Sequence, residues 1–202
     1  MGWSVSTKGD VTALDPRSPL VLDVRELGRR AGSLWETSRV VPAPADLGIA
    51  LARILEGGDL ALDVRCESAG EGIWVTGTVA FTVVGECARC LDPMTWPQEA
   101  SFSEMFAYPP TDHRGARVDA GDDEEDPPVY VEDDLIDLEP IVRDAVVLAL
   151  PMAPVCADSC AGLCPTCGVR LEVGHDHRHD TIDPRWEALR ALTEEDENEK
   201  GN

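Results

Sequence analysis

Residues 60–83, LALDVRCESAGEGIWVTGTVAFTV, decide the fold. Leu60, Leu62, Val64 and Cys66 alternate with Ala61, Asp63, Arg65 and Glu67, a period of two with one apolar face. After SAGEG, Ile73, Val75, Val79, Phe81 and Val83 take one face, and Trp74, Thr76, Thr78 and Thr82 take the other. Two such runs around a glycine-bearing turn form a β-hairpin with one buried face. Cys66 falls in phase with that face and reads as a small core hydrophobe.

Outward from the hairpin, Trp96, Ala100, Phe102 and Phe106 continue the alternation in a third strand, which makes CARCLDP (residues 87–93) the turn between the second and third strands. Upstream, residues 19–27 predict a first strand running into a charged turn at Gly28 to Gly32, and residues 33–43 predict another. Asp46 is positioned to cap a short helix through Leu55, with Leu47, Ala50, Leu51 and Ile54 at helical spacing. Downstream, Asp137 caps a helix from Leu138, with Pro140 in its tolerant first turn and Leu138, Ile141, Val142, Ala145, Val146, Leu148 and Ala149 as a broad apolar stripe for the sheet. Asp183-Pro184 opens a second, C-terminal helix with Trp186, Leu189 and Leu192 on one face.

These signals predict an α+β fold, an antiparallel β-sheet or partly open barrel with a packed helix and a C-terminal zinc-knuckle module. The expected organisation is a flexible N-terminus at 1–18, a β-rich domain at 19–150 with an acidic loop at 109–134, and a cysteine/histidine module at 151–182. A helix at 183–193 and an acidic tail at 194–202 complete it. At 202 residues and 43% apolar content the chain can bury a core. Its net charge is −22, and residues 119–139 alone hold 11 acids and no base. Such a run is a solvated loop, or a surface that repels phosphate and attracts a basic partner. The whole molecule is not a basic nucleic-acid clamp, because that mode of binding depends on Lys and Arg displacing counterions.

Six of the seven cysteines fall in two clusters: Cys87 and Cys90 in CARC, then Cys156, Cys160, Cys164 and Cys167 in CADSCAGLCPTCG. His175 and His177 follow as an HxH pair, with His179 beyond them. Thiolates at this spacing converge on a tetrahedral ion at about 2.3 Å, and imidazole completes such a shell. Disulfides would need an exported chain, whereas MGWSVSTKGD has no signal-peptide pattern; a redox CxxC would open a helix, whereas CARC follows a strand. Three pairings fit the ligands. Cys87 and Cys90 join Cys164 and Cys167, or Cys156 and Cys160 join Cys164 and Cys167, or two zinc ions divide all six cysteines with His175 and His177. A catalytic zinc would instead keep a water and a base such as Asp176 or Asp180.

In order, CARCLDP, the acidic linker, IDLEPIVRDAVVLALPMAPVCADSCAGLCPTCG and IDPRWEALRAL resemble the YceD family of large ribosomal RNA subunit accumulation proteins, over roughly Val21 to Leu192. This chain has HDH where related members more often carry Cys-x-Cys. The resemblance implies a non-enzymatic cytoplasmic factor for accumulation or processing of large-subunit ribosomal RNA. Its expected partner is that RNA or a pre-ribosomal particle, reached directly or through a ribosomal protein, with no membrane and no small-molecule substrate. The alternatives are an acidic adaptor for a basic ribosomal protein and a zinc-dependent hydrolase. Arg89, inside the first knuckle, is either a basic contact or a surface ion pair.

Overall fold

The structure is a computed structural model that describes residues 13–110, 128–171 and 177–179. The described residues form two compact units. One runs through Ala88 and again from Asp92 to Cys156; the other holds Arg89–Leu91 and the described residues from Ala157 onward.

The first unit is mostly antiparallel sheet with one helix. Strands β1 (Val21–Asp23), β2 (Leu34–Pro42), β3 (Gly48–Ile49), β4 (Ala52–Arg53), β5 (Asp59–Ser68), β6 (Gly72–Glu86), β7 (Pro93–Ala107), β8 (Val129–Tyr130) and β9 (Leu135–Asp137) precede helix α1 (Glu139–Ala149). The hairpin read from residues 60–83 is β5–β6, paired from Ala61↔Ala80 to Ser68↔Ile73. Its continuation β6–β7 pairs every residue from Gly72↔Ala107 to Glu86↔Pro93, leaving 87–92 as the connection. β2 lies outside β5, and β4 takes the stretch of β6 beyond the end of β5. β1 and β9 form a separate antiparallel pair.

Alternation places the core where the sequence pattern requires. Leu60, Leu62, Val64 and Cys66 of β5 are buried together with Ile73, Val75, Val79, Phe81 and Val83 of β6. Ala100, Phe102 and Phe106 of β7 join them, and the intervening residues of β5 face outward. Helix α1 closes the core with Val142 and Val146, flanked by Leu138 and Leu150, four residues apart on one face. Leu148, expected in that stripe, is 86% exposed, because the buried face is this narrower row. Asp137 accepts a hydrogen bond from the Glu139 N–H at 2.9 Å, while the cap position itself is Leu138.

Three expectations need correction. Residues 46–55 form the β3–β4 hairpin instead of a helix. Asp46 is left-handed at φ 55°, the Ile54 N–H bonds the Leu47 carbonyl at 2.9 Å, and Ala52 and Arg53 pair with Gly85 and Val84. Arg143 of α1 donates to the Asp46 carbonyl at 2.9 Å and the Ala45 carbonyl at 3.2 Å, so tertiary contacts override the helical spacing. The acidic loop is also shorter than 109–134 on its C-terminal side. Phe106 and Ala107 pair in parallel with Val129 and Tyr130, and Val131 is buried. Of the predicted first strand, Val21–Asp23 is strand and Arg25–Leu27 is a 3-10 turn. Residues 1–12, the acids at 119–126, the helix expected at 183–193 and the tail at 194–202 lie outside the described residues.

Gly77 shows how tightly the hairpin packs. It is the cross-strand partner of Phe102, and a Cβ there would sit 2.5 Å from Phe102 Cζ and 2.6 Å from the Asp63 carbonyl oxygen. The ring occupies the space a side chain would need. Alanine at an unstrained strand glycine adds about 0.5–1 kcal/mol of stability, but overpacking removes about 1–3 kcal/mol. Because one colliding atom belongs to a paired backbone, the steric effect dominates. Gly77→Ala is expected to lower stability by about 1–2 kcal/mol, read from a urea midpoint; an unchanged midpoint contradicts this packing.

Cys66 lies fully inside the core at 0% exposure. Burial pushes its thiol up to about 11, with Arg39 pulling weakly the other way. Since the thiolate is the reactive form, iodoacetamide at pH 8 should leave Cys66 unmodified in the folded chain and label it after denaturation. Labelling of native Cys66 at the rate of an exposed thiol contradicts its placement. The folded value exceeds the ordinary one of 9.0, so the folded state holds the proton longer. Its contribution to stability is present below pH 9 and lost as pH rises toward 11.

Candidate metal centres

The connection 87–92 is a knuckle built by backbone geometry. Where β6 ends, the Cys87 N–H turns back to the Asp92 carbonyl at 2.9 Å, and Leu91 adopts φ 62°. The CPTCG segment repeats this plan. The Cys164 N–H bonds the Val169 carbonyl at 2.8 Å, five residues on as before, and Gly168 takes φ 72° in the place of Leu91. The Gly168 N–H also bonds the Cys164 carbonyl at 2.8 Å. Glycine adopts this conformation freely, whereas leucine there is strained by about 1–2 kcal/mol. Each turn sets two cysteines side by side at the mouth of a loop.

Short contacts bring a second pair to the first knuckle. In the unit that holds the sheet, the Ala88 N–H bonds the Pro154 carbonyl at 2.7 Å, and the Cys156 N–H points to Cys87 Sγ at 3.4 Å. In the other unit, the Arg89 guanidinium donates to the carbonyls of Asp158 at 2.9 Å and Cys160 at 3.0 Å. The Leu163 N–H bonds the Arg89 carbonyl at 3.0 Å. Arg89 therefore shapes the loop that carries Cys160. The ligand atoms of Cys87, Cys90, Cys156 and Cys160 all lie within 4.8 Å of one another. Cys87 and Cys90 are buried at 0% and 4% exposure, while Cys156 is exposed.

The second group belongs wholly to the second unit. Cys164, Cys167, His177 and His179 bring four ligand atoms within 4.8 Å of one another. Cys167 Sγ stands 3.3 Å from His177 Nε2, and the Nε2 atoms of His177 and His179 are 2.7 Å apart. The two imidazoles meet edge to face with centroids 4.5 Å apart. Leu163 and Arg170 form an antiparallel bridge behind the knuckle, and the Leu171 N–H bonds the Gly162 carbonyl at 2.9 Å. Burial raises the Cys164 thiol, but the backbone amides of Cys167 and Thr166, together with His177 and Cys167 side chains, bring it down to about 6. The lowering favours the thiolate, the form that binds metal.

The donor sets fit a metal ion. Four thiolates, or two thiolates with two imidazoles, fill a tetrahedral shell, and bonds of about 2.3 Å place neighbouring sulfurs about 3.8 Å apart. All ligand atoms of each set lie within 4.8 Å of one another, close enough to converge on one ion. None of the seven cysteines is in a disulfide.

Of the ligands named from sequence, Cys87, Cys90, Cys156 and Cys160 fall in one group able to hold an ion, and Cys164 and Cys167 fall in another with histidines. His177 is in the second group with His179; His175, Asp176 and Asp180 lie outside the described residues. The run HDHRHD contains two overlapping HxH pairs, so spacing alone could not choose between them. The role of Arg89 had no sequence signal, since its partners are backbone carbonyls.

An α+β body whose chain gathers two four-ligand sets able to hold metal ions defines the class of protein. Residues 75–193 match the family described as large ribosomal RNA subunit accumulation protein YceD, and the chain belongs to that family. An uncharacterized protein of Mycobacterium tuberculosis is 47% identical over 175 residues, covering 85% of this chain and 80% of the relative. One from Mycobacterium leprae is 41% identical, covering 85% and 76%. The Bacillus subtilis protein YlbN is 33% identical over 58% of this chain and 66% of its own length. No solved structure matches the chain significantly. Among the described residues, no helix is long and apolar enough to cross a membrane.

Proposed function

We propose that the protein is a non-enzymatic cytoplasmic factor that supports accumulation or processing of large-subunit ribosomal RNA, with two structural zinc ions. Family membership carries the ribosomal part of this reading. The two four-ligand sets support the zinc part: each supplies a full tetrahedral shell from protein atoms, the pattern of a structural site and not of a catalytic one that keeps a position for water. Zinc, once bound, would fix the two knuckles and their partner loops. Depletion of the protein should lower mature large-subunit RNA relative to small-subunit RNA and shift the subunit profile. Unchanged ratios would sink the ribosomal reading.

A second reading is an acidic adaptor for a basic ribosomal protein. Several acids of the 119–139 run serve the fold. The Asp134 carbonyl accepts from the Val24 N–H at 2.9 Å, Asp137 precedes α1, and Glu139 pairs with Arg143 at 2.9 Å. The six acids in residues 119–126 are the densest part of the run and would attract such a partner. Replacing those six with Asn and Gln should abolish capture of basic ribosomal proteins in a pull-down if the adaptor reading holds. Retained capture rejects it.

A further inference from the structure

We propose that the two metal sets are unequal: the Cys164–Cys167–His177–His179 set takes up and releases zinc while the sheet and helix stay folded, whereas the Cys87–Cys90–Cys156–Cys160 set retains its ion. This rests on the zinc reading above and adds an exchangeable site to it.

Two observations carry the inequality, and a third lets the second site reload. The first is access. Two of the four thiols in the first set are buried, whereas in the second only Cys164 is buried, and Cys167 and His179 are exposed. A competing chelator must displace ligands one at a time, and it begins with exposed ones. The second is what each set supports. Among the described residues the hydrophobic core lies between Leu20 and Leu150, and the second set lies outside that unit, so emptying it takes away no described core residue. Cys87, by contrast, directly follows β6; its N–H bonds the Asp92 carbonyl, and the N–H of its neighbour Ala88 bonds the Pro154 carbonyl. The third is preorganisation. The second knuckle is closed by Cys164–Val169 and Gly168–Cys164 backbone bonds and backed by the Leu163–Arg170 bridge, none of which needs the metal. A site that keeps its turn when empty can reload without refolding, unlike sites whose binding energy is all folding energy.

The test is zinc release from the full-length, zinc-loaded chain into excess EDTA, followed with a chromophoric zinc indicator and circular dichroism. Two ions should leave in two steps separated at least tenfold in rate, with the β-sheet signal unchanged after the first. Cys167→Ser and the exposed His179→Ala should each remove only the fast ion, and Cys87→Ser only the slow one. Release in a single step, a fast ion lost with Cys87, or loss of the sheet signal with the first ion overturns the inequality. A chain that binds one ion overturns it also. A chain that binds no zinc instead overturns the reading beneath it.

Discussion

Cys87→Ser is expected to reduce bound zinc from two ions per chain to one and to lower unfolding stability by about 4–5 kcal/mol, the range reached when a mutation abolishes a metal site. Cys87 is 0% exposed and accepts the Cys156 N–H, so the substitution removes a buried thiolate and leaves its three partner ligands crowded. A serine hydroxyl is a poor zinc ligand and is too short to reach the sulfur's position. The loop that Arg89 ties to Asp158 and Cys160 would then keep those hydrogen bonds but lose the ion that fixes it. Native mass spectrometry gives the ion count, and chemical denaturation gives the stability. Cys66→Ala is the control: it removes a buried thiol that is not among the ligands and should keep both ions while costing about 1–2 kcal/mol in lost packing. Two ions retained in Cys87→Ser, with an unchanged denaturation midpoint, contradict the first metal centre.

Most of the sheet was legible because its residues obey one rule over a long stretch. From Leu60 to Val83 every inward position but Ser68 is apolar, and the period of two fixes both the strands and their faces. Helix α1 was legible for the same reason at a period of 3.6, apart from Leu148. Residues 46–55 were not, because four apolar residues at helical spacing are too few to outweigh contacts made with β6 and Arg143. The parallel strand β8 was hidden within an acidic stretch, since a two-residue pairing leaves no periodic signal. At the candidate site, the ligand types and the two knuckles were visible from spacing, because CxxC in a turn is a local geometry. The assignment of Cys156 and Cys160 to Cys87 was not visible. It depends on hydrogen bonds between residues nearly seventy positions apart, and nothing in a linear spacing encodes them.

Phe106→Ala is expected to cost about 3–5 kcal/mol, the usual penalty for emptying a fully buried phenylalanine site, without altering the number of zinc ions bound under native conditions. Phe106 is 0% exposed and pairs with Ile73 on one side and Val129 on the other, so its ring fills the place where β6, β7 and β8 meet. Little can collapse into the vacancy, because backbone ladders hold both neighbouring strands. The knuckle lies at the opposite end of the same hairpin, past Glu86↔Pro93, about 45 Å along the strand from Ile73. Its geometry comes from backbone bonds, Cys87 to Asp92 and Ala88 to Pro154, that do not involve Phe106. Stability and metal binding should therefore separate: a large fall in the denaturation midpoint, with two ions per chain below it. If instead Phe106→Ala also loses an ion in native buffer, the knuckle depends on the integrity of the whole hairpin. The metal centre would then be a readout of sheet packing and not an independent element.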